Sequence, residues 1–288
     1  METNAIPNVE TTLPVAGVDL HVEHYPAQGT PRAALVMVHG FSAHCGLYRH
    51  VGAAFSAQGI AVTQFDCRGH GRSGGRRGHI GSFKDYLDDL ELVIAWARTQ
   101  NPVLPLTLMG HSMGGAIALG FVLAHDQAAG PSRLVVAAPW LRLKMNVSLP
   151  KRAAAGVMAR MFPKLLGPNG IKAKNISRNP LVLAGFEKDP LVHHVASAGW
   201  FMAMLRAQAN IRVHAQDLKV PTLMLLAEQD FMVSNETNRT FAENAGNTVE
   251  VRSYGGLYHE LFLEPEVDML LADIAAWLLA DSAPKKTT

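Results

Sequence analysis

Short apolar runs alternate along the chain with longer segments in which apolar residues recur every three or four positions. Most of the runs are apolar throughout, as expected for strands buried on both faces of a sheet. The predicted strands are 19–25, 34–39, 60–66, 106–109, 134–138, 222–227 and 248–254. Residues 14–17 predict the turn of a first antiparallel hairpin.

The longer segments predict helices. Segment 82–100 places its apolar residues on one stripe and most of its acidic residues off it, which is typical of a surface helix. Residues 113–124 and 265–280 predict two more helices, the last with proline in its first turn. Strands that alternate with helices indicate an α/β fold, with a mostly parallel sheet and helices on both faces.

The segment 140–216 departs from this alternation, because it shows no strand pattern and consists of helix-like pieces rich in Met, Ala and Leu. We interpret it as a helical cap, or lid, inserted into an α/β core formed by residues 1–139 and 217–288. A chain of 288 residues with 48% hydrophobic residues suits one large core.

The composition argues against several classes of protein. The chain has no run of about eighteen uncharged apolar residues, and its N-terminus lacks the basic start and apolar stretch of a secretory signal. The expected location is therefore the cytoplasm. The two cysteines, Cys45 and Cys67, do not form a disulfide framework or a C-x-x-C pattern, so we expect free thiols. We expect no metal and no cofactor.

The net charge of +2 conceals an uneven distribution. Between Gln127 and Phe186 there is no Asp or Glu, while Lys and Arg recur throughout. This block is either a solvated face balanced by acidic helices elsewhere or a surface that contacts an anionic membrane transiently, where each cation adds on the order of 1 kcal/mol. The second interpretation makes the protein peripherally membrane-associated through the cap. We expect no nucleic-acid partner.

Residues 108–116, L-M-G-H-S-M-G-G-A, place Ser112 between a predicted strand and a predicted helix. So abrupt a turn leaves no room for side chains at Gly110 and Gly114, while Gly115 and Ala116 let the helix pack closely on the sheet. The free N–H groups at the helix start favour a developing oxyanion. Because a bare G-x-S-x-G is a weak signal, it is this context that makes Ser112 a candidate nucleophile.

A serine nucleophile needs a base and an acid that orients the base. His259 lies in G-G-L-Y-H-E between the last strand and the last helix, where it should reach the same sheet edge as Ser112. Asp230 follows strand 222–227 and lies between the serine and the histidine in chain order. Glu228 and Asp217 remain alternatives for the acid.

An oxyanion hole needs N–H donors, and we expect them from the backbone of Met113 and of Phe41, with Gly40 letting that loop bend inward. We interpret His39 as a side chain that braces this loop rather than as a second base. Asp66 also ends a strand, but it precedes the serine and is expected to hold a turn.

Two other patterns suggest binding sites. Residues 69–74 match the dinucleotide fingerprint G-x-G-x-x-G, but the loop continues before any helix begins, and no acidic residue ends a strand about twenty positions later. The pair His193 and His194 has no carboxylate or cysteine pattern that would indicate a metal. We therefore favour neither.

Several motifs together resemble the monoacylglycerol lipase and lysophospholipase group of the α/β-hydrolase fold, in that order and over nearly the whole chain. They are H-G-F-S-A-H-C-G-L-Y, F-D-C-R-G-H-G-R-S-G-G-R-R-G-H-I, G-H-S-M-G-G, S-R-N-P, K-D-P-L-V, A-E-Q-D and Y-H-E-L-F-L-E. The resemblance implies a Ser112, Asp230, His259 triad, an oxyanion hole from Phe41 and Met113, and a lid over an acyl-chain tunnel. The chain departs from the group at Ala43, where many relatives carry an acidic residue, and in the poorly matched lid.

The expected function is hydrolysis of lipid esters, of monoacylglycerols or lysophospholipids, through an acyl-enzyme. A general carboxylesterase, a thioesterase, a peptidase or a silent binder remains an alternative. Flexible methionines and aromatic residues in the cap suit a variable acyl chain, although ordinary core packing explains each of them individually. The candidate substrate contacts are His111, Met145, Met158, Phe162 and Trp200.

Overall fold

The computed structural model describes residues 9–128, 130–144 and 156–280. Its main feature is an eight-stranded sheet with the strand order β1-β2-β4-β3-β5-β6-β9-β10. The strands are β1 (Val9–Val15), β2 (Val18–Tyr25), β3 (Ala33–Val38), β4 (Ile60–Phe65), β5 (Leu106–His111), β6 (Arg133–Ala137), β9 (Thr222–Ala227) and β10 (Val249–Tyr254). β2 pairs antiparallel with β1 and β4, and the pairs from β4 across to β10 are parallel. The predicted α/β-hydrolase fold is confirmed.

Helices flank this sheet, and two short strands lie apart from it. The helices are α1 (Arg49–Ser56), α2 (Lys84–Gln100), α3 (Met113–Ala124), α4 (Pro180–Phe186), α5 (Ala198–Val213), α6 (Asn235–Ala245) and α7 (Val267–Leu279), with a further helical stretch at 156–161. None of the helices in the described ranges is long and apolar enough to cross a membrane.

The expectation that segment 140–216 contains no strand is wrong. β7 (Leu166–Pro168) and β8 (Val195–Ser197) pair antiparallel, with Leu166 opposite Ser197. Each strand has three residues, and β7 is Leu-Gly-Pro, so neither is long enough to leave an alternating pattern in the sequence. Their pairing depends on partners about thirty positions apart, which local periodicity does not reveal.

Burial in the central strands explains why the sequence predicts them. Every residue of β3, β4, β5 and β9 is buried. The predicted bounds of β9 and α3 match the structure, while β5 runs two residues beyond its predicted end because Gly110 and His111 still pair with Val136 and Ala137. This extension carries the strand directly to Ser112.

The hairpin and the thiols also follow expectation. β1 and β2 are joined at Ala16 and Gly17, which both have positive φ, 42° and 79°. Cys45 and Cys67 are buried free thiols.

The parallel strands bring their carboxyl ends to one edge of the sheet, and in such folds ligand and active sites lie at that edge.

Candidate active site

The turn around Ser112 has the strained geometry predicted for it. Ser112 directly follows β5 and precedes α3, with φ 52° and ψ −112°. A Cβ at Gly110 would lie 2.2 Å from the carbonyl oxygen of Gly114, and one at Gly114 would lie 2.2 Å from that of Val38. These are backbone atoms that cannot move aside, so the turn requires glycine at both positions.

The structure brings Ser112, His259 and Asp230 together. His259 Nε2 lies 2.9 Å from Ser112 Oγ, and His259 Nδ1 lies 2.7 Å from Asp230 Oδ2. The other carboxylate oxygen, Oδ1, accepts the backbone N–H groups of Met232 at 2.7 Å and Val233 at 2.9 Å. Because a carboxylate only accepts, Nδ1 carries the ring proton and Nε2 is left to accept from the serine hydroxyl.

Electrostatics favours an ion pair between His259 and Asp230. Burial alone would raise the pKa of Asp230, but the charge and hydrogen bond of His259 and two backbone N–H groups hold it below its ordinary value. Burial likewise opposes charge on His259, yet the charge and hydrogen bond of Asp230, followed by the charge of Glu260, raise the pKa of His259 above its ordinary value. His259 is thus poised to take up a proton.

The two alternatives for the acid lie elsewhere. Glu228 is exposed and forms an ion pair with Arg239. Asp217 is exposed in a single 3₁₀ turn before β9. The hydrogen bond to His259 comes from Asp230.

The loop after β3 lies against the serine. Gly40 and Phe41 line the same cavity as Ser112, and Met113 is the first residue of α3. His39 braces this loop, since its Nδ1 donates to the carbonyl of Gly40 at 2.7 Å and its Nε2 accepts the Cys67 N–H at 2.9 Å. This is the role that the sequence predicted for His39.

Asp66 holds a turn, as expected. Its Oδ1 accepts the Cys45 N–H and its Oδ2 accepts the Arg72 N–H, both at 2.7 Å. A Cβ at Gly71 would lie 2.1 Å from the same carboxylate. The G-x-G-x-x-G pattern is therefore a loop folded around Asp66, and the next helix, α2, begins only at Lys84.

A cavity of about 330 Å³ lies over Ser112, in the size range of ligand pockets. Most of the side chains that line it are apolar. They are Phe41, Ala43, Leu47, Trp140, Leu143, Pro168, Ile171, Ile176, Phe186, Ala196, Ala198, Trp200, Phe201, Met232, Val233 and Leu263. The polar ones are His111, Asn169, Ser197 and Glu260, besides Ser112 and His259.

Two of the predicted substrate contacts, His111 and Trp200, line this cavity. Trp200 also stacks on Phe41 with ring centroids 3.7 Å apart and donates to the Tyr86 hydroxyl at 3.1 Å. Sequence reasoning missed most of the other lining residues. They come from several separate segments and carry no shared motif.

Met158 and Phe162, two other predicted substrate contacts, do not line this cavity. Phe162 is 55% exposed, Met158 is half-buried in the helical stretch 156–161, and neither is among the residues that line the cavity. A composition rich in Met and aromatic residues does not tell which side of a helix faces a cavity. Met145 lies outside the described residues.

One cluster in the described part of the chain has metal-ligating residue types: His21, Glu23 and Cys45. Arg49 donates to both oxygens of Glu23, and Arg72 lies 3.4 Å from His21 Nε2. Burial raises the pKa of the Cys45 thiol well above its usual range. Arg49 already occupies both carboxylate oxygens of Glu23, so this carboxylate belongs to an ion-pair network.

Comparison with known proteins agrees with the geometry. The family described as serine aminopeptidase, S33, matches residues 29–266. The chain is 32% identical to a monoacylglycerol lipase of Mycolicibacterium smegmatis over 92% of this chain and 95% of that one. It is 31% identical to phospholipase YtpA of Bacillus subtilis over 82% and 91%.

A solved structure shows the same fold. A soluble variant of monoglyceride lipase from Saccharomyces cerevisiae superimposes with a TM-score of 0.88 at 19% identity, over 96% of this chain and 97% of that one. The chain therefore belongs to the serine aminopeptidase S33 family of the α/β-hydrolases, as a monoacylglycerol lipase-like member.

Proposed function

We propose that this protein hydrolyses carboxylic esters of lipids, with monoacylglycerols as the favoured substrates, through an acyl-enzyme on Ser112. The observation that carries the proposal is the apolar cavity directly over a serine that is hydrogen-bonded to a His–Asp pair. An apolar cavity favours an acyl chain because removing apolar surface from water stabilises the complex by about 25 cal/mol per Å².

The reaction follows from the hydrogen bonds. Ser112 Oγ attacks the ester carbonyl while its proton moves to His259 Nε2, and Asp230 stabilises the resulting imidazolium. The backbone N–H groups of Phe41 and Met113 receive the oxyanion. His259 returns the proton to the departing alcohol. A water molecule then releases the fatty acid by the same proton transfers in reverse order.

The charge of the cavity wall bears on the head group. No lysine or arginine is among the lining residues that the structure describes, and Glu260 contributes a carboxylate. A phosphate-bearing alcohol would meet this wall without a compensating cation, which is costly in a partly desolvated site. A neutral glycerol avoids that cost, so we place monoacylglycerols ahead of lysophospholipids.

Hydrolysis assays test the proposal. We would compare p-nitrophenyl esters from acetyl to palmitoyl, a monoacylglycerol, a lysophosphatidylcholine, an acyl thioester and an aminoacyl anilide, with Ser112→Ala as the control. We expect medium or long chains to exceed acetyl in kcat/KM, the monoacylglycerol to exceed the lysophospholipid, and the control to be inactive. Preference for acetyl, or cleavage of the anilide alone, would refute the lipase assignment.

Contact with an anionic membrane is part of this proposal. Large apolar side chains within residues 157–165 of the predicted cap are exposed beside basic ones. They are Val157, Met161, Phe162 and Leu165, with Arg160 and Lys164 between them. Such a mixture suits the head-group region of a bilayer.

Vesicle co-sedimentation tests this contact. We expect stronger binding to anionic than to neutral vesicles at low salt, and weaker binding after Phe162→Ser. Val103→Ser is the matched control, since Val103 is 89% exposed in the loop that leads to β5. Equal binding to anionic and neutral vesicles would show that electrostatic attraction does not contribute to membrane contact.

A further inference from the structure

A second imidazole and a second carboxylate lie beside the Ser112–His259–Asp230 group. His111 directly precedes Ser112, and Glu260 directly follows His259. Both are buried, and the rings of His111 and His259 have centroids 5.0 Å apart. The reaction proposed above assigns no step to either residue.

Hydrogen-bonding geometry defines the state of the His111 ring. His111 Nε2 lies 2.9 Å from the main-chain carbonyl oxygen of His259. A carbonyl oxygen only accepts, so Nε2 must carry a hydrogen. The other ring nitrogen, Nδ1, lies 3.2 Å from Glu260 Oε1, and the Tyr48 hydroxyl donates to the same oxygen at 2.8 Å.

The contact between Nδ1 and Glu260 is close but is not a hydrogen bond, because Nδ1 has no hydrogen-bond partner. Burial holds the pKa of His111 below its ordinary value, so the ring is neutral and its single hydrogen is on Nε2. The Glu260 carboxylate is held instead by the Tyr48 hydroxyl. His111 therefore meets His259 as a neutral donor to its main-chain carbonyl, and Glu260 meets it as a nearby negative charge.

We propose that His111 positions His259 by donating from Nε2 to its main-chain carbonyl, and that Glu260, held by the Tyr48 hydroxyl, supplies a negative charge beside both imidazoles. This inference rests on the proposed function, because it assigns a role relative to His259 as the base. Asp230 orients the ring of His259 from its Nδ1 side, whereas His111 holds the backbone of the same residue.

His111 also touches the loop of the expected oxyanion hole. A Cβ at Gly40 would lie 3.0 Å from His111 Nδ1, so the ring packs closely against this loop. His111 is thus held between the Gly40–Phe41 loop and the His259 backbone, directly before the nucleophile. A ring in this position links the three parts of the site.

Several titratable groups lie within electrostatic reach of Glu260 or His111. They are His259, Asp230, Tyr48, His39 and His50. Burial lowers the pKa of His111, and the charge of Glu260 is the largest influence that opposes this. The same carboxylate, after Asp230, raises the pKa of His259. Removing its charge should therefore change the pH at which His259 becomes an effective base.

The test measures acylation of Ser112 by a fluorophosphonate probe as a function of pH, together with kcat and KM on the best p-nitrophenyl ester. Glu260→Gln keeps the shape and removes the charge. His111→Gln keeps an N–H donor, whereas His111→Leu removes it. Glu228→Gln is the matched control, because Glu228 is exposed and paired with Arg239.

We expect Glu260→Gln to move the acid limb of the labelling rate to lower pH and the control to leave it in place. We expect His111→Leu to lower kcat by about 10- to 100-fold, the range for a misplaced reacting group. KM should stay within about twofold, because ground-state binding is retained. His111→Gln should recover part of the loss, since it restores a donor to the His259 carbonyl.

Two results would overturn the inference. One is a pH profile of Glu260→Gln that superimposes on that of the unaltered protein. The other is a folded His111→Leu with unchanged kcat. If His111→Leu does not fold, as circular dichroism would show, Glu260→Gln decides. If the unaltered protein is not labelled at Ser112, it is the proposed function that fails, so the two failures are distinguishable.

Discussion

Replacing Asp230 with asparagine tests how the site fixes the protonation of His259. The substitution keeps the size of a side chain that is fully buried. Asp230 Oδ1 accepts two backbone N–H groups, from Met232 and Val233, and Oδ2 faces His259 Nδ1 at 2.7 Å. An asparagine has one oxygen and one NH₂ group, so it can place an acceptor at only one of these two positions.

The two choices have unequal costs. If the amide oxygen stays on the two backbone N–H groups, the NH₂ group points at His259 Nδ1. Nδ1 must then accept, which places the ring proton on Nε2, where it blocks proton transfer from Ser112. In the flipped arrangement, the NH₂ group would face the two buried backbone N–H groups, so donors would face donors. This costs about 1–3 kcal/mol for each unsatisfied group. The first arrangement therefore predominates, with the wrong tautomer of His259.

We expect kcat to fall by about 10⁴-fold, which corresponds to about 5 kcal/mol of transition-state stabilisation, as for an isosteric change at this position in other serine hydrolases. The acid limb of the remaining activity should move to lower pH, because the carboxylate that raises the pKa of His259 is gone.

The assay is kcat and kcat/KM on a p-nitrophenyl ester over a range of pH, with thermal unfolding to show that the variant is folded. Glu228→Gln, in the same loop after β9, is the matched control and should retain full activity. A folded Asp230→Asn enzyme that keeps kcat within about tenfold would refute the orienting role of this carboxylate, since a wrong tautomer costs far more.

Three further predictions concern stability, pH and the cavity. Gly114→Ala should destabilise the fold by about 1–3 kcal/mol, because its Cβ would lie 2.2 Å from the Val38 carbonyl oxygen. Gly185→Ala should not destabilise the fold, because its Cβ would have nothing within 4 Å. Equal urea midpoints for the two variants would contradict the predicted clash at Gly114. The acid limb of kcat/KM should lie above 6.5, the ordinary pKa of histidine, because the pKa of His259 is raised. The stability that protonated His259 contributes to the fold is present below pH 6.5 and is lost as the pH rises through the raised pKa of His259. An acid limb of kcat/KM below 6.5 would contradict the ion pair with Asp230. Trp200→Ala should lower the free energy of unfolding by about 3–5 kcal/mol and should reduce activity on long-chain esters more than on acetyl esters. Equal losses on both substrates would show that Trp200 does not contribute to acyl-chain binding.

Much of the fold was predictable because it depends on local sequence patterns. Strands such as β9 are apolar throughout since both faces are buried, and their bounds follow from where that run stops. The turn at Ser112 was predictable for a different reason. Its backbone approaches other backbone at Gly110 and Gly114, and only glycine fits there.

The residues of the site were harder to predict as their distance in sequence increased. Placement in the sequence favours Asp230 over Glu228, but only the structure shows that Glu228 pairs with Arg239 and that Asp230 bonds to His259. The contact between His111 and Glu260 joins positions 149 apart by number, with no motif that marks it. His111 lies in G-H-S-M-G-G and Glu260 in Y-H-E-L-F-L-E, but adjacency to Ser112 and His259 in sequence does not indicate that they meet.

The sequence alone determined the alternation of strands and helices, the sharp turn that presents Ser112, and the chain order of serine, acid and histidine. These depend on burial periodicity and on steric limits within a few residues. Only the tertiary structure decided which side chains of segment 140–216 reach the cavity and which, like Phe162, face outward. It alone paired β7 with β8 and placed Glu260 beside His111. Such contacts join distant segments, and their free energy depends on packing and desolvation that no local pattern records.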